Sequence, residues 1–160
     1  MQVFTEAEAR NFLTKNNLGE KLTHLDPQVS RSEVTTDVHR RCAYANVLTN
    51  FLITSEVSIA CLDITDWGGF SSDRNMDLFY SYRNYLGEKR PLRDAHFHVF
   101  TAAEAKEFRN ILHLSLISLF DIAGASTTTD FRFYASNDEW IDVAWYEGAE
   151  WQPDMEWFFT

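Results

Sequence analysis

The stretch AHFHVFTAAEAKEFRNILHLSLISLF, residues 95–120, decides the fold. Its first six residues alternate, with Ala95, Phe97 and Val99 on one side, which predicts a strand over 95–100. Thr101 then opens a helix, because Glu104 stands three residues on and closes a capping box. Phe108, Ile111, Leu112, Leu116 and Leu119 recur at helical spacing, so the helix is expected to run over 102–120 and to stop before Gly124. A half-buried strand feeding an amphipathic helix within one short segment points to a fold in which helices cover a sheet.

The same opening occurs at the start of the chain. Val3-Phe4-Thr5-Glu6-Ala7-Glu8-Ala9-Arg10 is echoed by Val99-Phe100-Thr101-Ala102-Ala103-Glu104-Ala105-Lys106. Thr5 and Glu8 predict a second capping box, with a helix over 5–18, Phe4 as its staple and Gly19 as its stop. The echo fades too soon for a duplicated fold.

Between these helices, residues 56–66 are apolar on both faces and predict a central strand, broken by Gly68 and Gly69. Residues 129–135 and 140–146 predict a hairpin turning at Ser136-Asn137-Asp138-Glu139. Residues 36–54 and 76–86 have helical spacing but carry enough β-branched or aromatic residues to alternate as strands; the helical reading is preferred for both. The expected architecture is one α+β domain over residues 1–160, with mixed α/β as the alternative. It has a four- to five-stranded mixed sheet, at least three helices and a C-terminal hairpin.

Charge is distributed unevenly. The chain has 24 acids against 14 bases, a net charge of −10. The last 28 residues contain seven acids, no Lys or Arg, and four of the five tryptophans. Without that segment the balance is 17 acids to 14 bases, so most of the excess negative charge is local. Such a field repels nucleic acid and anionic membrane and suits a cationic partner. The acidic aromatic tail, residues 148–160, and the strand before it supply the candidate binding residues: Asp142, Glu147, Glu150, Trp151, Asp154, Glu156 and Trp157.

Other chemistry is sparser. Asp94, His96 and His98 are expected on one strand face, where His-x-His with a nearby carboxylate is one way to place ligands on a metal; no third ligand at a diagnostic spacing supports it. Asp63, Asp66, Asp73 and Asp77 surround a glycine turn but match no cation loop. Arg83, Lys89, Arg90 and Arg93 form a basic cluster around Pro91, which reads more readily as a solvated turn than as an anion site. Cys42 and Cys61 lie in apolar runs and read as reduced thiols, which with the acidic N-terminus favours a cytoplasmic protein. No motif calls for a cofactor.

The expected function is a non-enzymatic binding or inhibitor protein, of immunity type, whose acidic aromatic surface engages a cationic protein. One competing class is a small metal-dependent or acid/base hydrolase using Asp94, His96 and His98. Another is a homodimeric structural protein with the tail at its interface.

Overall fold

A computed structural model describes residues 1–19, 22, 30–33, 38–66 and 73–144. The elements within them are β1 (Gln2–Phe4), α1 (Glu6–Lys15), β2 (Ser30–Glu33), α2 (Val38–Leu52), β3 (Ile59–Asp66) and α3 (Asp73–Tyr85). They continue with β4 (Phe97–Thr101), a 3-10 turn (Ala102–Glu104), α4 (Ala105–Ile117), β5 (Asp121–Ser126), β6 (Arg132–Ala135) and β7 (Trp140–Ala144). The strands form a single sheet in the order β1-β4-β3-β5-β6-β7-β2.

The α+β class is as expected, but the sheet is larger than four or five strands. It is also antiparallel at every pairing rather than mixed. The reason lies in the crossover. β4 and β5 run parallel to each other, as the helix between them demands, yet β3 lies between them and pairs antiparallel with both. The crossover therefore spans one strand and creates no parallel pair.

Both capping boxes form. Thr5 N donates to Glu8 Oε2 (2.8 Å) and Glu8 N donates back to Thr5 Oγ1 (3.5 Å). Thr101 N donates to Glu104 Oε2 at 2.9 Å. The echoed words also meet in space, because β1 pairs with β4 through Gln2–Val99, Val3–His98 and Phe4–Phe97.

The helix ends differ from expectation. α1 stops at Lys15, not near Gly19. Asn17 takes the left-handed conformation (φ 53°), and Leu18 N donates to Leu13 O at 2.9 Å. Asparagine tolerates that region, so it ends the helix ahead of the glycine. α4 stops at Ile117 through a similar reversal at Leu119 (φ 56°), and Gly124 lies inside β5 instead of ending the helix.

Helices α2 and α3 confirm the helical reading of both ambiguous stretches. Gly87 follows α3 at φ 94°, a backbone state that favours glycine. The β6–β7 hairpin closes through Ser136 N to Trp140 O (2.8 Å), with Glu139 at φ 66°. Residues 68, 69 and 145–160 lie outside the described residues.

The sheet has two unlike faces. On one, the cross-strand row His98–Leu62–Gly124–Phe133–Val143 lies under α2, α3 and α4. The row one residue along is Phe97–Asp63–Ala123–Tyr134–Asp142. It faces the α1 side, where Phe97, Cys61, Val99 and Ala125 pack with Ala9 and Leu18. One face is a dry core; the other mixes a small apolar cluster with carboxylates.

Candidate functional site

His96 is the centre of the polar face. Its Nδ1 lies 2.8 Å from Asp63 Oδ1 on β3, and its Nε2 lies 3.2 Å from Glu6 Oε2 on α1. Arg10, one helical turn beyond Glu6, donates from Nε to Glu6 Oε1 at 2.9 Å. Charges therefore alternate from the helix surface into the sheet: Arg10, Glu6, His96, Asp63. The His96 side chain is 17% exposed, that of Asp63 21% and that of Glu6 61%. The bond to Asp63, with Glu6 beyond, raises the His96 pKa above its ordinary 6.5. Arg10 foremost holds the Glu6 carboxyl below its usual range.

This arrangement constrains the chemistry. An imidazole acting as a general base needs one nitrogen facing the proton it removes. Both nitrogens of His96 meet carboxylates. Those carboxylates sit at opposite edges of the ring and do not converge on one point. Among the described residues no group of three or more His, Cys, Asp or Glu is placed to hold a metal ion.

His98 goes elsewhere. Its ring is fully buried on the helix-covered face, with centroids 6.5 Å from Phe79 and 6.5 Å from Phe100. Its Nδ1 meets His96 O at 2.9 Å, and Nε2 has no hydrogen-bond partner. Asp94 lies in the turn before β4, beside Arg93 at 3.7 Å. The expectation that Asp94, His96 and His98 share a face is thus corrected. β4 begins only at Phe97, so alternation does not extend back to His96 or Asp94.

The turn that delays β4 has its own anchor. Arg83 lies on α3, as the helical reading of 76–86 expects, but it is fully buried and not part of a solvated basic cluster. It donates from Nη1 to Arg90 O (2.9 Å) and from Nη2 to Ala95 O (2.7 Å), pinning the loop that leads to His96. Arg90 binds Glu88 and reaches Val3 O on β1 at 2.7 Å.

Burial, with the Arg83 cation second, pushes the His98 pKa down to about 3. The folded value lies below the unfolded 6.5, so the stability this histidine lends is present above pH 6.5 and is lost as pH falls toward about 3. Urea unfolding at pH 7 and pH 5 is expected to show the wild type losing about 2 kcal/mol relative to His98→Leu. An unchanged gap contradicts the buried neutral ring.

Of the candidate binding residues, the structure describes Asp142. It points away from Ile141 and Val143, which pack in the core, yet it is only 7% exposed. Asp142 therefore belongs to the root of the acidic segment, not to an open surface. Next to it in register, Tyr134 has its phenol pushed up to about 12, by burial first and by its hydrogen bond to Asp121 next. Glu147, Glu150, Trp151, Asp154, Glu156 and Trp157 lie outside the described residues.

Asp63 and Asp66 sit on β3, Asp73 begins α3, and Asp77 is exposed on α3. Cys42 and Cys61 are not joined by a disulfide. Sequence reading missed Glu6 and Asp63 as partners of His96. They lie 90 and 33 residues from it, and no spacing signal links them. Among the described residues no helix is long and apolar enough to cross a membrane. Comparison with protein-family models, curated proteins and solved structures gives no match.

Proposed function

We propose that the protein is a non-enzymatic binding protein of inhibitor or immunity type. Its acidic aromatic segment after β7 covers a cationic protein partner. The observation that carries this reading is the charge distribution: seven acids, four tryptophans and no Lys or Arg in the last 28 residues, with four of those acids and three of those tryptophans after β7. The strand that precedes the segment is fixed, since Ile141 and Val143 of β7 are buried in the core. Acidic residues speed and steer encounter with a basic surface, and tryptophans supply contact energy. Glu147, Glu150, Asp154 and Glu156 are assigned the steering role, and Trp151 and Trp157 the anchoring role. Asp142 supports them from the strand.

The hydrolase alternative is less well supported, because His96 has both nitrogens engaged and His98 is buried on the other face. Self-association is the second reading; Leu78 and Tyr85, large and exposed on α3, favour it. A cytoplasmic site of action accords with two cysteines that form no disulfide.

The test is capture from cell lysate by the full chain and by a variant carrying Glu147→Gln, Glu150→Gln, Asp154→Asn and Glu156→Gln. The wild type is expected to retain basic proteins at about 50 mM salt and release them at about 500 mM, as screening requires. The variant is expected to lose capture while its unfolding free energy stays within about 0.5 kcal/mol of the wild type. Equal capture by both proteins, or a captured set no more basic than the lysate, overturns the reading.

A further inference from the structure

We infer that His96 is a proton-operated latch. As an imidazolium it ties the first turn of α1 to β3 through Glu6 and Asp63; on losing its proton it releases Glu6, and that turn loosens. This inference is independent of the partner proposed above.

The geometry carries it. An imidazolium offers two N–H donors, and here each has a carboxylate within hydrogen-bond distance. A neutral imidazole offers one donor and one lone pair, so one carboxylate must then face a lone pair. Asp63 keeps the donor, because its contact is shorter, 2.8 against 3.2 Å, and its side chain is far less exposed. Glu6 has water and Arg10 as alternatives. Loss of the proton therefore acts on the α1 side.

The surrounding charges leave His96 as the switching group. From α1, Glu6 touches it, Arg10 holds the other Glu6 oxygen, and Glu8 is engaged with Thr5. From β3 comes Asp63. Ahead of β4, Asp94 is beside Arg93, and Arg90 is paired with Glu88. From β4, His98 is buried and approaches only the His96 carbonyl. The pKa of His96 is raised, so the latch is closed below 6.5 and opens as pH climbs through the folded value. The opening is local. Phe12 stays tilted against Phe97 at 5.9 Å between centroids, beside Phe4 of β1 stacked on the same ring at 6.3 Å, and keeps the rest of α1 in place.

Amide hydrogen exchange reads the latch directly. The Ala9 amide, which donates to Thr5 O at 2.9 Å, reports on the first turn. Between about pH 5.5 and 8.5, with intrinsic base catalysis removed, its protection is expected to fall about three- to tenfold in step with the His96 ring titration. Leu13 and Lys15, deeper in α1, should not follow. His96→Gln and Glu6→Gln should both give a flat profile. Constant Ala9 protection through the wild-type His96 titration overturns the latch without reference to any variant. An equal fall in His96→Gln overturns it as well.

Discussion

Replacing Phe79 by alanine is expected to lower the unfolding free energy by about 4 kcal/mol, the cost of an emptied aromatic site that cannot fully collapse. Phe79 is fully buried on α3. Its ring meets Phe120 edge-on at 5.0 Å and His98 at 6.5 Å, and the Arg83 guanidinium carbon lies 5.8 Å from its centroid. One side chain thus shields both the neutral histidine and the buried cation that pins the loop before β4. Truncation leaves a cavity beside two polar groups, which water can enter. The same variant is therefore expected to bring the His98 pKa back toward its ordinary value and to weaken the acid sensitivity described above. Urea unfolding at pH 7 and pH 5 checks both consequences. A loss below about 0.5 kcal/mol, the cost of an ordinary surface change, contradicts the packing.

Gly124→Ala is expected to cost about 3 kcal/mol, the upper end for overpacking a well-filled site. Gly124 and Phe133 are direct partners across β5 and β6. A methyl group at Gly124 meets Phe133 Cε1 at 2.2 Å and Cζ at 2.6 Å, well inside contact distance. The Phe133 ring is itself almost wholly buried, so it has no free space to swing into. A melting curve for Gly124→Ala beside the double variant Gly124→Ala, Phe133→Leu checks the cause. The smaller side chain should recover part of the loss if the ring is the obstacle.

These two positions also show where sequence reading reached its end. The capping boxes at Thr5 and Thr101 were legible because the bonding partners lie three residues apart. The central strand and the terminal hairpin were legible from apolar runs and turn residues. β5 was not. Its residues Ala123, Gly124, Ala125 and Ser126 are small and carry no strand period; their identity as a strand comes from β3 and β6 on either side. The glycine that reads as a helix stop is there to make room for a ring nine residues away in the chain.

The site shows a similar boundary. The histidines at 96 and 98 drew notice by residue type, and alternation placed them together. Arg83 pinning Ala95 O, and the turn closed by Asp94 N to Pro91 O at 3.0 Å, delay the strand until Phe97. One histidine then enters the dry face and the other turns to the carboxylates. Spacing cannot register that, because the deciding contacts come from α1, α3 and β3.

A single NMR titration of the histidine rings tests the two-faced sheet most directly. The His96 ring is expected to titrate above 6.5, held by Asp63 and Glu6, while the His98 ring stays neutral through that range and yields only toward about 3 or on acid unfolding. Two neighbouring rings titrating together near 6.5 would contradict it, since that is the behaviour of two solvent-facing imidazoles on one face of a strand.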